Sequence, residues 1–236
     1  MHPTLVAVAH GSRDPRAALT VLALLERVRE LRPRLDVRLG HIELNRPLLD
    51  DTLKDATGAA VLVPLLLGRG THVKRDLPAA AARAGHLRIR VAEPLGPHPL
   101  LVEALFERLL QAGWQPDTAV VLACAGSLDP DSAADSRRTA ALLSERLGGV
   151  PVTPAYASAA APAVPDAVRA LAARGHRVAV ASYFTAPGRF ATASAAAAPG
   201  PAAAPLGTHP ALARLVVHRY EEALSRPAHQ RELATA

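Results

Sequence analysis

TLVAVAHGSRDP (4–15) decides the fold. Within it LVAVA (5–9) is a continuous apolar run, as expected of a strand buried on both faces. Gly11 permits a tight exit from that strand. Asp14 is a good helix N-cap and Pro15 suits the first helical turn. Helical periodicity then runs from Pro15 to about Leu31. The same alternation continues outward. Strands are predicted at 37–43, 59–67 and 87–93, and helices from Pro47 to about Ala56, from Val73 to Ala84, and over PHPLLVEALFERLLQAG (97–113). Strands and helices alternating at this spacing imply parallel strands joined by right-handed crossovers, so the fold class is α/β.

The pattern then restarts. TAVVLACAGSLDP (118–130) repeats TLVAVAHGSRDP, with Gly126 lying 115 residues beyond Gly11. LGTHP (206–210) repeats LGPHP (95–99) at an offset of 111, and ALAARGHRVAVASYFTAPGRF (170–190) repeats the third helix–strand segment at 118. The chain therefore holds two similar halves, 1–113 and 114–236, joined at AGWQPD, where Gly113 and Pro116 punctuate a linker. The alanine-rich stretch 191–205 reads as a degenerate helix and loop of the second half.

Composition narrows the function. The 236 residues are 50% hydrophobic and 3% aromatic, so the core must be built from Leu, Val and Ala. A lone cysteine, Cys124, excludes an internal disulfide and cysteine-rich metal sites, and its place in a strand makes it core packing. The first residues have no basic segment before their short apolar run, and no apolar stretch reaches the roughly 18 residues that cross a bilayer. A soluble cytoplasmic protein without membrane partners is the expectation. The net charge is +6, yet Lys and Arg are scattered and stacking aromatics are few, which argues against nucleic acid; a polyanionic small molecule fits as well with fewer special features, and for any single arginine a solvated surface is the plainer reading.

The repeat separates folding from chemistry. Gly-Ser-x-Asp-Pro is in both halves (Gly11–Pro15, Gly126–Pro130), as are His98 and His209 before helices, so these are read as structural. His10, Glu43 and His72 are replaced by Ala125, Ser158 and Phe190. In parallel sheets ligands bind at the carboxyl ends of strands, where all three residues should lie. Two imidazoles and a carboxylate suit Fe(II), Co(II), Ni(II) or Zn(II). His41, beside Glu43, is a weaker candidate.

AHGSRDPRA, GHIELNRPLLDDTL, VLVPLLLGRGTHVKRDLP and EPLGPHPLL resemble the sirohydrochlorin chelatases, the class II chelatases of siroheme and cobalamin biosynthesis, over most of 4–110. The second half is similar in outline, as in the long two-domain members, and departs at 191–205. The resemblance implies two flavodoxin-like halves facing each other across a cleft. It implies an enzyme, a lyase, that inserts Fe2+ or Co2+, or Ni2+, into sirohydrochlorin or a related polycarboxylate tetrapyrrole. His10 and His72 would bind the metal and act in catalysis, with Glu43 as a further ligand. Ser12, Arg13, Arg46, Arg69, Lys74, Arg75 and Arg189 are candidates for holding substrate carboxylates. No G-x-x-x-x-G-K-[ST] loop is present, so no nucleotide is expected. With both halves in one chain, a monomer can form the cleft alone. A non-catalytic carrier of nickel or cobalt would use the same histidines without a ring-sized cleft, and a metal-free small-molecule binder would use neither.

Overall fold

A computed structural model describes residues 2–226 of the chain. The first half runs β1 (Thr4–Ala9), α1 (Pro15–Leu31), β2 (Val37–His41), α2 (Leu49–Lys54), β3 (Ala59–Pro64), a single π turn (His72–Asp76), α3 (Leu77–Arg83), β4 (Arg88–Val91) and α4 (Pro99–Gln111). The second runs β5 (Thr118–Cys124), α5 (Pro130–Arg146), β6 (Val152–Tyr156), α6 (Val164–Ala172), β7 (Arg177–Ser182), α7 (Arg189–Ala196) and α8 (Pro210–Ser225). All pairing is parallel, in the order β2-β1-β3-β4 in one sheet and β6-β5-β7 in the other. Two parallel sheets flanked by helices are the α/β architecture expected from the alternation.

The repeat is visible in the backbone. Leu65 N–H donates to Val8 O, and Tyr183 N–H to Ala123 O; Leu95 N–H donates to Leu66 O, and Leu206 N–H to Phe184 O. α7 answers to the π turn and α3, and where β4 would recur the alanine-rich stretch supplies only a lone parallel bridge from Ala202 to Val180.

Some boundaries move. β2 ends at His41, short of Glu43, because the chain turns at Leu44, whose φ is 66°. The helix predicted from Val73 opens instead as the π turn at His72, with Leu77 N–H returning to His72 O. Pro78, the second residue of α3, has no N–H to offer Lys74 O, which favours the wider turn before it.

Strand alternation divides the core. Val6 and Val8 pack outward with Leu49, Leu53 and Leu77, while Ala119, Val121 and Ala123 pack with Val164 and Leu171 of α6. Leu5, Ala7, Val120 and Leu122 face inward, into one central core shared by both halves. Four helices fill that core, and the last helix of each half crosses over. α4 packs on α5 and β7, and α8 packs on α1 and β3. The crossing helices begin alike: Nδ1 of His98 accepts the Leu100 N–H, and Nδ1 of His209 accepts the Ala211 N–H. The Asp14 and Asp129 side chains cap α1 and α5 in the same way.

Candidate metal centre and cleft

Three loops at the carboxyl ends of β1, β2 and β3 carry the three candidate ligands. His10 follows β1 directly. Glu43 lies two residues past β2, and its N–H donates to His10 O at 3.0 Å. Gly11 makes this approach possible. It has φ +105°, and a Cβ there would lie 1.9 Å from Glu43 O. His72 opens the π turn. The His10 and His72 rings meet edge to face, with centroids 4.7 Å apart. Glu43 Oε1 lies 3.6 Å from His10 Nε2.

The hydrogen bonds point to Nε2 as the nitrogen each ring offers. Nδ1 of His72 lies 2.6 Å from Asp76 Oδ2, and an ionised carboxylate only accepts, so that nitrogen carries the proton. Nδ1 of His10 similarly faces Gly11 O at 3.3 Å. Both Nε2 lone pairs are thereby left for an ion. The side chains of His10 and His72 are 43% and 37% exposed, so the pair is open to solvent. Among the described residues, no three His, Cys, Asp or Glu side chains converge into a metal cage. The arrangement is a histidine pair with a carboxylate beside it.

The pair lines a cleft of about 1320 Å³, larger than the roughly 300–1,000 Å³ of a drug-sized pocket. Ser12, Arg13 and Arg189 also line it. The other cationic candidates do not. Arg46 pairs with Asp51 at 2.9 Å and borders a separate hollow of about 380 Å³, and Arg75 is exposed elsewhere. Arg69 and Lys74 turn to the second half. Arg69 donates through its backbone N–H (2.8 Å) and its guanidinium (2.7 Å) to Asp135, which is 3% exposed. Lys74 reaches Asp129 at 2.8 Å and Asp131 at 2.7 Å, and their carboxylates hold its ammonium more firmly protonated than usual. The anion-holding role read for these two cations is thus taken by carboxylates of the chain itself. Tyr183 adds a third tie, its hydroxyl donating to Leu67 O at 3.1 Å. The loop that ends in His72 is therefore fastened by the opposite half.

His41 is buried, with Nδ1 held near Pro47 O at 3.1 Å. Cys124 is buried, which pushes its thiol up to about 12 and leaves it a packing group. Asp76, four residues after His72, is a partner that i,i+4 spacing alone could have pointed to. Asp135 and Tyr183 carry no sequence signal, since their role exists only once the halves meet.

The CbiX family model matches residues 4–112 and again 119–223, one match per half. The sirohydrochlorin ferrochelatase of Bacillus subtilis (strain 168) is 30% identical over 171 residues, which are 69% of this chain and 66% of that protein. The sirohydrochlorin cobaltochelatase of Sulfurisphaera tokodaii is 31% identical over 112 residues, 44% of this chain and 89% of that one. Among solved structures, SirB from Bacillus subtilis with Fe3+ superposes with a TM-score of 0.78 at 25% identity, covering 95% of this chain and 96% of that one. Two matched halves with this sheet order and a whole-chain superposition leave one assignment: the chain belongs to the CbiX family.

Proposed function

We propose that this chain inserts a divalent metal ion, Fe2+ or Co2+, into sirohydrochlorin or a closely related polycarboxylate tetrapyrrole. One observation carries the reading: two imidazoles meet with ring centroids 4.7 Å apart at the wall of a cleft of about 1320 Å³. Relatives named ferrochelatase and cobaltochelatase, and a superposable protein determined with iron, support it.

Insertion exchanges two pyrrole N–H protons for one divalent ion. The ion is a substrate and has to leave again, which suits an open pair better than a closed four-ligand cage. His10 and His72 present the ion through Nε2. As the ion passes to the ring, the freed imidazoles can take up the departing protons, which histidine does near neutral pH. Glu43 beside His10 adds negative charge that holds the ion or completes its transient coordination. Ser12, Arg13 and Arg189 at the cleft hold carboxylate arms of the ring. The first half supplies the ligands, and the second closes the cleft opposite them.

Metal insertion followed by absorbance tests this directly. His10→Ala and His72→Ala proteins that melt like the wild type should each lose roughly 100-fold or more in rate. Wild-type rate in either variant removes that histidine from the reaction. Wild-type protein that takes up Co2+ but binds no sirohydrochlorin would instead be a metal carrier.

A further inference from the structure

The two walls of the cleft are chemically opposite, although they descend from the same repeat. The backbone fixes the correspondence. Leu66 matches Phe184 through their equivalent bonds from Leu95 and Leu206. Four residues later the match still holds. A Cβ on Gly70 would lie 3.5 Å from Ser127 Oγ of the opposite half, and one on Gly188 would lie 3.6 Å from Ser12 Oγ. Two residues on, His72 therefore answers to Phe190, and its partner His10 answers to Ala125.

Aromatic residues are scarce, with three Phe, three Tyr and one Trp in the chain. Yet Phe184 and Phe190 both line this cleft, at positions that are Leu66 and His72 in the other half. Phe184 also packs partly against the outer core of the second half, whereas Phe190 belongs to no core cluster; neither is fully buried. The Arg189 guanidinium lies over the Phe190 ring, 5.1 Å from its centroid, so a cation covers one face of that ring and the other is left for a ligand.

Resting on the chelatase reading above, we propose that Phe184 and Phe190 are the docking wall for the flat face of the macrocycle, with Arg189 receiving a peripheral carboxylate. A conjugated ring stacks on aromatic faces, and a ring held there turns its other face toward His10 and His72. The loss of ligands from the second half is then a specialisation. Ala125 and Phe190 make a surface that cannot compete for the ion and can hold its acceptor.

Equilibrium binding of metal-free sirohydrochlorin, followed by its absorbance, tests the wall without any insertion step. Phe190→Leu should bind the ring about five- to tenfold more weakly, the worth of one aromatic stacking contact. Phe190→Tyr, which keeps the ring, should bind like the wild type, and Phe184→Leu should repeat the loss. Co2+ titrated alone should bind Phe190→Leu as tightly as the wild type, because the histidine pair is intact. Equal sirohydrochlorin affinity in Phe190→Leu and wild type overturns the wall and leaves the chelatase reading standing. A wild-type protein that binds no sirohydrochlorin overturns both. Loss of Co2+ binding in Phe190→Leu would also overturn the wall, since the side chain would then be supporting the histidines.

Discussion

The hydrogen bond from His72 Nδ1 to Asp76 gives the histidine pair its asymmetry, because His10 has only a backbone carbonyl in that place. A carboxylate behind a ligating imidazole fixes its orientation and raises its basicity, and its removal typically costs 10- to 100-fold in metal affinity. Asp76→Asn should therefore weaken Co2+ binding by about tenfold with little change in melting temperature; unchanged affinity would show that Asp76 does nothing for the ion. A second histidine reports on stability. Burial first, and then the nearby Arg219 guanidinium, push His98 down to about 4. Its ordinary value is near 6.5, so below that pH the unfolded chain binds a proton that the folded one refuses. Stability should fall as pH drops from about 6.5 to about 4. His98→Asn, which keeps a capping acceptor, should flatten the melting temperature over that range. An identical slope in both proteins would assign the acid loss to other groups. At this scale much was legible. His10, Glu43 and His72 stood out because the repeat drops them, and His98 because the repeat keeps it. Phe190 was visible only as the missing histidine, and its place in the cleft comes from folding.

Among the elements, the strand-to-helix turn after β1 is the most constrained. Gly11 and Gly126 sit at φ +105° and +92°, and a Cβ on either would fall 1.9 or 1.8 Å from the carbonyl of Glu43 or Ser158. Gly11→Ala should cost about 3 kcal/mol or more, combining left-handed strain with a backbone collision. Gly58 also has positive φ (+77°) but meets nothing within 4 Å, so Gly58→Ala should cost only about 1 kcal/mol. Chemical denaturation of the two variants separates backbone strain from collision, and equal losses would contradict this assignment. The order and type of the elements followed from apolar runs and capping residues such as Asp14 and Asp129. Their ends did not. The turn at Leu44 and the π turn before Pro78 arise from tertiary bonding that local patterning does not encode.

At the scale of the whole molecule, the repeat offsets revealed two halves but not how they join. Nothing in the spacing of α4 or α8 says which sheet each will cover. Both cross over, so the inward faces of β1 and β5 share one core. Ion pairs from Arg32 to Glu221 and from Arg69 to Asp135 link the two halves further. Two jaws that each grip the other's last helix should resist swinging apart. The gap between them is set when the chain folds, and a flat guest has to slide in edgewise without bending its host. Small-angle scattering curves for the protein alone and with sirohydrochlorin should therefore superimpose, and a contraction on adding the ring would mean that the mutual grip yields.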